Sequence, residues 1–149
     1  MTTYSSLFFH LIWSTKERVP LISDLIENKL HAYMVGTVQG KGGNVIQIGG
    51  MPDHVHLLVR LKPDQSLPEL VKVIKYSSGK WMRDVAPAFS KFSWQTGYGT
   101  FSVSRSQTDV VQQYIKNQKE HHKVRGFAEE FEVILKNHNV EYKNEYLLG

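Results

Sequence analysis

Short apolar or alternating runs recur along the chain with the period of a β-strand. Residues 7–13 are rich in aromatic and branched side chains, and 44–48 form a second apolar run. Similar runs occur at 54–61 and 101–104. These four segments are predicted strands, and the glycine-rich turn at 49–53 predicts that the second and third form a hairpin.

Between the strands, apolar residues recur at the spacing of an amphipathic helix. The first helix is predicted to begin near Ser23 or Asp24 and to end at the glycine-rich run 40–43. The second is predicted to begin at Ser66, because Ser66 and Glu69 have the spacing of a capping box.

Two further helices are predicted after the last strand. One runs from about 107 to 122, with Ser106 and Asp109 as its candidate N-terminal cap. A shorter helix carries an apolar stripe over 127–135. The tail, 140–149, keeps aromatic residues and is expected to dock on the domain.

The order strand–helix–strand–strand–helix–strand predicts a ferredoxin-like fold, the α+β arrangement of RNA-recognition modules. We expect an antiparallel sheet with helices on one face, and an additional C-terminal helix carrying Tyr114. The other face would be available to single-stranded nucleic acid. Without a repeat, low-complexity tract or linker, residues 1–149 are predicted to form one domain.

The composition is that of a globular protein with a basic balance: 41% hydrophobic residues, 21% charged residues and a net charge of +4. This charge permits an anionic partner such as nucleic acid. The lack of cysteine excludes disulfides and thiolate metal sites, and it fits the expected cytoplasmic location. The apolar run 7–13 is too short to span a bilayer, so neither a signal peptide nor membrane association is expected.

The candidate chemistry centres on the pair His54-x-His56 at the start of the third strand. Alternate residues of a strand point to the same face, so two imidazoles can bind one metal ion. Gln118 offers an amide oxygen as a third ligand. Such donors suit Mg²⁺ or Mn²⁺, although Zn²⁺, Co²⁺ and Ni²⁺ can also bind them. On spacing alone, His121 and His122 are competing ligands.

Tyr114 lies four residues before Gln118, so a helix would place both on one face, about one turn apart. Its phenol, with an ordinary pKa of about 10, can attack a phosphodiester polarised by the metal. The resulting phosphotyrosine ester conserves the energy needed to join the strand to another hydroxyl. The alternative is that Tyr114 is a core residue and Gln118 a surface residue.

These residues lie in motifs that resemble the small single-tyrosine HUH transposases of insertion sequences, the IS200-like group, where HUH denotes His-hydrophobic-His. The resemblance covers nearly the whole chain and keeps the family's order of motifs. The motifs are Trp13 to Lys16, Gly49 to Val59, Ser66 to Val71, Trp94 to Ser104, Tyr114 to His122 and Glu141 to Leu147.

By this resemblance, His54, His56 and Gln118 are ligands of a divalent metal ion, Mg²⁺ or Mn²⁺, and Tyr114 is the catalytic nucleophile. The resemblance implies a DNA transposase that cuts and rejoins single-stranded DNA at hairpins near element ends, through a 5′-phosphotyrosine intermediate. It also implies a homodimer with shared active sites, in which the helix bearing the tyrosine can complete the site of the partner subunit.

Basic and aromatic residues outside these positions are candidates for DNA contacts. Trp94 and Tyr98 are candidates for stacking on bases, with core packing as the alternative. The candidates for contacts with the DNA backbone are Lys16, Arg18, Lys72, Lys75, Lys80 and Arg105.

Three alternatives are compatible with the sequence. A ferredoxin-like nucleic-acid-binding module without catalysis would bind in the presence of a chelator and would not need Tyr114. A histidine-ligated metal hydrolase would activate water and form no covalent adduct. A domesticated relative of the transposases would process repeated extragenic palindromes instead of moving its own element.

Overall fold

Four strands form one antiparallel sheet in the computed structural model, which describes residues 2–123 and 125–143. Their spatial order is β2-β3-β1-β4, and each strand is antiparallel to its neighbours. With two helices inserted between them, they form the predicted ferredoxin-like α+β fold. The strands are β1 (Phe8–Ser14), β2 (Asn44–Met51), β3 (His54–Arg60) and β4 (Gly99–Val103).

Two long helices lie between the strands, and three shorter ones follow β4. The hydroxyl of Ser66 accepts a hydrogen bond from the backbone N–H of Glu69 at 3.3 Å, which confirms the predicted start of α2. In the described part of the chain, no helix has the length and apolarity needed to cross a membrane. The helices are α1 (Asp24–Gly40), α2 (Leu67–Val85), α3 (Thr108–Lys116), α4 (Gln118–His121) and α5 (Phe127–Asn137).

One face of the sheet is covered by α1 and α2, as predicted. Leu11, Val55 and Leu57 of the sheet belong to one buried cluster with Leu30 of α1 and Ile74 of α2. Full burial of an aliphatic side chain stabilises the fold by about 1.5–3 kcal/mol. This layer therefore holds β3 firmly in the middle of the sheet.

The other face of the sheet, predicted to be open, is covered by the C-terminal helices. Ile115 of α3 packs with Leu58 of β3. Phe131 of α5 packs with Ile12 of β1 and Phe101 of β4. Both helices carry an apolar stripe that must be buried, and the uncovered sheet face is the surface that accepts it.

The helix predicted over 107–122 is interrupted at Asn117, where φ is −97° and ψ is 24°. Asparagine is a weak helix former because its side chain competes for backbone hydrogen bonds. The predicted cap by Ser106 and Asp109 is wrong. A 3₁₀ turn over 105–107 leads directly into α3, which has no side-chain cap.

The predicted docking of the tail concerns a segment that is only partly described. Tyr142 packs against the buried cluster formed by α5 and the sheet. Tyr146 and Leu147 lie outside the described residues.

Candidate active site

His54 and His56 lie on β3, a central strand, and both side chains are fully buried. Nε2 of His54 lies 3.0 Å from Oε1 of Gln118 and 3.3 Å from Oε1 of Glu130. Nε2 of His56 lies 3.0 Å from the same Glu130 oxygen. The two Nε2 atoms therefore face one point above the sheet, as the alternation of the strand predicts.

The opposite ring nitrogens of the two histidines are held by residues that are not among the sequence-based candidates. Nδ1 of His54 lies 2.7 Å from Oδ1 of Asp53, and Nδ1 of His56 lies 2.8 Å from Nε2 of His10. Such contacts fix the orientation and tautomer of an imidazole and leave Nε2 for a metal ion. The sequence signals were an aspartate directly before the histidine pair and a histidine within the first apolar strand.

Tyr114 lies on α3, and its hydroxyl donates a hydrogen bond to Oε2 of Glu130. Nε2 of Gln118 donates to the same oxygen at 3.0 Å. The ring centroid of Tyr114 lies 5.8 Å from that of His56, and His121 stacks on the Tyr114 ring at 4.5 Å. The structure thus brings the four predicted site residues together, although a helix break separates Tyr114 from Gln118.

The position of Gln118 is fixed by its neighbour Lys119. Nζ of Lys119 donates a hydrogen bond to the backbone oxygen of Gly50 at 3.0 Å and to the carboxylate of Glu27 at 2.9 Å. These contacts tie α4 to the β2–β3 hairpin and to α1. The amide of Gln118 is therefore held over the histidines of β3.

Glu130 of α5 is the central residue of the site and is almost completely buried. Its Oε1 lies 3.3, 3.0 and 3.1 Å from Nε2 of His54, His56 and His122. His122, a competing ligand on spacing, therefore belongs to the site. The sequence signal for Glu130 is a charged residue inside the apolar stripe 127–135, whose spacing by itself predicts only a buried helix face.

The two histidines of β3 differ in their protonation. Burial lowers the pKa of His54, but hydrogen bonds to Asp53 and Glu130 outweigh burial and raise the pKa to about 9. Burial lowers the pKa of His56 to about 4, although Glu130 acts in the opposite direction. At neutral pH His54 therefore carries a proton, which would have to leave before its Nε2 atom could bind a metal ion.

The charges of the site also act on Glu130 and Tyr114. Burial raises the pKa of Glu130, but the nearby imidazoles of His122, His54 and His56 outweigh this and hold its pKa well below the usual range. Burial and the negative charge of Glu130 raise the pKa of Tyr114 above its ordinary value. The phenol is therefore protonated here, and its ionisation requires that the charge of Glu130 be offset.

The donor atoms of the site fit a divalent metal ion. His54, His122 and Glu130 present ligand atoms within 4.8 Å of one another. His56 and Gln118 direct a ring nitrogen and an amide oxygen toward the same space. Imidazole nitrogen with carboxylate and amide oxygen is a donor set for Mn²⁺ or Mg²⁺, and also for Zn²⁺.

A cavity of about 440 Å³ opens beside the site, between the β2–β3 turn and the start of α5. Its lining includes His122 of the site and the basic residues Lys123 and Arg125. Arg18 lies close by, because a Cβ atom placed on the lining residue Gly126 would be 4.0 Å from its guanidinium. Three basic residues therefore surround the mouth of this cavity, whose lining also includes the carboxylate of Asp53.

Most of the other residues that are predicted to contact the DNA backbone lie elsewhere on the protein surface. Lys72, Lys75 and Lys80 lie on α2, across the sheet from the histidines. Nζ of Lys75 donates to two backbone carbonyls, and burial lowers its pKa to about 8. Lys16 and Arg105 are exposed in the turns after β1 and β4. A role of these residues in DNA binding stays a prediction.

Trp94 is a core residue, so of the two alternatives for this side chain the structure favours core packing over stacking on bases. It is 7% exposed, packs edge-on against Trp13, and donates a hydrogen bond from Nε1 to the hydroxyl of Ser78 at 2.9 Å. Tyr98 is half-buried and has Nζ of Lys75 6.0 Å from its ring centroid.

Comparison with known proteins agrees with this fold. The family described as "Transposase IS200 like" matches residues 3–118. The ISDra2 transposase TnpA of Deinococcus radiodurans is 31% identical over 117 residues, which cover 75% of this chain and 84% of the relative. A crystal structure of a protein from D. radiodurans R1 assigned as a transposase has a TM-score of 0.64 at 29% identity, covering 79% of this chain and 95% of the other.

A REP-associated tyrosine transposase bound to a REP hairpin shares the fold, with a TM-score of 0.63 at 12% identity. The match covers 82% of this chain and 74% of that one. Fold, site and relatives together define a transposase, a DNA-processing protein. Within that class, the chain belongs to the IS200-like transposase family.

Proposed function

We propose that this protein is a metal-dependent HUH-class transposase that cuts and rejoins single-stranded DNA, with Tyr114 as the nucleophile. One observation carries the proposal. The phenol of Tyr114 and the three predicted ligands, His54, His56 and Gln118, contact one another or the same carboxylate of Glu130. The proposed nucleophile and the proposed metal ligands therefore lie around one buried carboxylate.

His54, His56 and Gln118 would hold the metal ion through Nε2, Nε2 and Oε1. When bound there, Mg²⁺ or Mn²⁺ supplies positive charge that stabilises the phosphate as negative charge builds up during the reaction. The same charge offsets that of Glu130, which in the metal-free protein disfavours ionisation of Tyr114. Because these three donors are neutral, they do not cancel the positive charge of the metal ion, which can therefore attract an anionic phosphate.

Tyr114 supplies the covalent step. Its phenolic oxygen forms a bond to phosphorus, and the bond from phosphorus to the 3′ oxygen breaks. The proton lost by the phenol is balanced by the proton taken up by the leaving 3′ oxygen. The products are a 5′-phosphotyrosine and a free 3′ hydroxyl, and attack by another DNA hydroxyl reverses the step and joins the strands.

The proposed substrate is single-stranded DNA with hairpins at the element ends. The relative bound to a REP hairpin shares only the fold at 12% identity, so its ligand supports this proposal by analogy. The basic mouth formed by Lys123, Arg125 and Arg18 lies beside the site and suits a DNA backbone. We further propose that the protein acts as a homodimer, which sedimentation of the DNA-bound protein would test.

The test of this function is covalent trapping. The protein is incubated with end-labelled single-stranded DNA from both flanks of the gene, with Mn²⁺ or with a chelator, and resolved on a denaturing gel. We expect a shifted band that requires metal, disappears in Tyr114→Phe, and persists in Tyr76→Phe, a control at an exposed tyrosine on α2. Tight DNA binding without any adduct would overturn the proposal in favour of a binding module.

A further inference from the structure

Glu130 comes from a part of the chain that the family match does not include. The match ends at residue 118, whereas Glu130 lies on α5, Phe127–Asn137. Glu130 is nevertheless 1% exposed and lies among the residues of the candidate metal site. The site of this chain therefore has a component beyond the predicted histidines and glutamine.

The packing of α5 shows how Glu130 is delivered to the site. Phe127 and Phe131 are buried on either side of Glu130 and pack with Ile12 and Phe101 of the sheet. A Cβ atom on Gly99 would lie 2.7 Å from the Phe131 ring, so the helix lies in close contact with β4. An apolar anchor of this kind directs the intervening carboxylate into the space above β3.

Glu130 is a buried carboxylate whose ionic partners are imidazoles. Such a group normally needs a cation or a metal ion beside it. In the described part of the chain, the ion pairs of Glu130 are with the imidazoles of His54, His56 and His122. Imidazole nitrogens are typical ligands of transition-metal ions. Here three of them face one oxygen of a carboxylate.

His122 provides a second, independent indication of a ligand. Its side chain is 5% exposed, and Nε2 lies 3.1 Å from Oε1 of Glu130. Within the described residues, this buried nitrogen nevertheless has no hydrogen-bond partner, so its contact with Glu130 is close without being a hydrogen bond. A ring nitrogen that faces the site without a hydrogen bond has a lone pair to offer a metal ion.

We propose that Glu130 is an additional, anionic ligand of the metal ion and that it makes α5 part of the metal centre. This inference rests on the proposed function, which places a divalent ion between His54 and His56. Oε1 faces the ion, while Oε2 accepts hydrogen bonds from Tyr114 and Gln118. The carboxylate thereby offsets part of the metal's charge and positions the phenol beside the ion.

A ligand on α5 couples metal binding to the docking of that helix. An ion that binds Glu130 together with residues of β3 favours the docked helix by mass action. The amides of 127–137 should then exchange with solvent more slowly when metal is bound. If the ligands came only from β3 and α4, metal would leave the exchange of α5 unchanged.

The test measures Mn²⁺ affinity by titration calorimetry in the full-length wild type and three variants. Glu130→Gln should weaken binding at least about tenfold, as loss of even a supporting contact of a metal site does. Glu129→Gln, at the exposed neighbouring position, should stay within about twofold of the wild type. His54→Ala should bind more weakly than the wild type. Equal affinity of Glu130→Gln and wild type would overturn the inference.

Hydrogen exchange of the wild type provides a second measurement that does not depend on the folding of a variant. Mn²⁺ should slow exchange over 127–137, and exchange unchanged by saturating Mn²⁺ would overturn the role of α5. If the wild type does not bind Mn²⁺, the metal-dependent function fails together with this inference. Binding that is lost in His54→Ala and retained in Glu130→Gln would overturn this inference alone.

Discussion

Gly49 of β2 lies directly against the backbone of Ile115 of α3. A Cβ atom at position 49 would be 2.4 Å from the carbonyl oxygen of Ile115. Gly49 also pairs with His56 across the β2–β3 hairpin, and Ile115 directly follows Tyr114. The missing side chain therefore allows α3 to approach the sheet closely enough for Tyr114 to reach the histidines.

Gly49→Ala should displace α3, because the contacting atom is backbone and cannot rotate away. We expect a loss of about 1–3 kcal/mol in the free energy of unfolding, the usual cost of overpacking, and at least tenfold less covalent DNA adduct. The control is Gly36→Ala on α1, where nothing lies within 4 Å. It should stabilise the protein by about 0.5–1 kcal/mol. Urea unfolding and the trapping assay measure both effects, and a fully active, equally stable Gly49→Ala variant would contradict them.

Asp53 holds His54 through Nδ1, at a distance of 2.7 Å. Asp53→Ala should therefore weaken Mn²⁺ binding by about 10- to 100-fold, since the ring loses the contact that fixes its orientation and tautomer. Asp64→Ala, in the exposed loop before α2, is the matched control and should leave the affinity unchanged. Calorimetry gives both values, and equal weakening by the two substitutions would point to net charge in place of ring orientation.

The fold could be predicted from the sequence because its signals are local. Period-two runs mark each strand, and the Ser66 cap marks the start of α2. Alternation along β3 also put His54 and His56 on one face. The break at Asn117 and the covering of the second face could not be predicted this way, since tertiary packing decides both.

The candidate site was only partly visible in the sequence for a related reason. Tyr114 and Gln118 are close in the sequence, and both side chains still reach the site although the helix is interrupted between them. Glu130 and His10 reach the site through long-range packing, 74 and 46 residues from His56. One signal was local: a glutamate within the apolar stripe of α5 must be buried with partners if that stripe packs on the sheet.

Tyr114 contacts histidines of its own chain, because its ring centroid lies 5.8 Å from that of His56. This arrangement builds one site from one chain. Mixing Tyr114→Phe with His54→Ala, each inactive alone, should therefore produce no DNA adduct. The trapping assay on mixtures refolded together, so that subunits exchange, measures this. An adduct approaching one quarter to one half of the wild-type yield would show that α3 completes the site of a partner subunit instead.

Metal binding should depend on pH through His54, whose pKa is raised to about 9 in the metal-free protein. The metal takes the lone pair that the proton occupies, so below pH 9 each binding event must release that proton. The apparent affinity should rise with pH by up to about tenfold per unit, from neutral pH to about 9, and then level off. The pKa of His56 is lowered to about 4, so this residue should affect the pH dependence of metal binding only at acidic pH. Calorimetry at pH 7.5 in two buffers of different ionisation enthalpy should report release of about one proton per Mn²⁺. An affinity that is flat from pH 7 to 9 would mean that His54 is already neutral or is not a ligand.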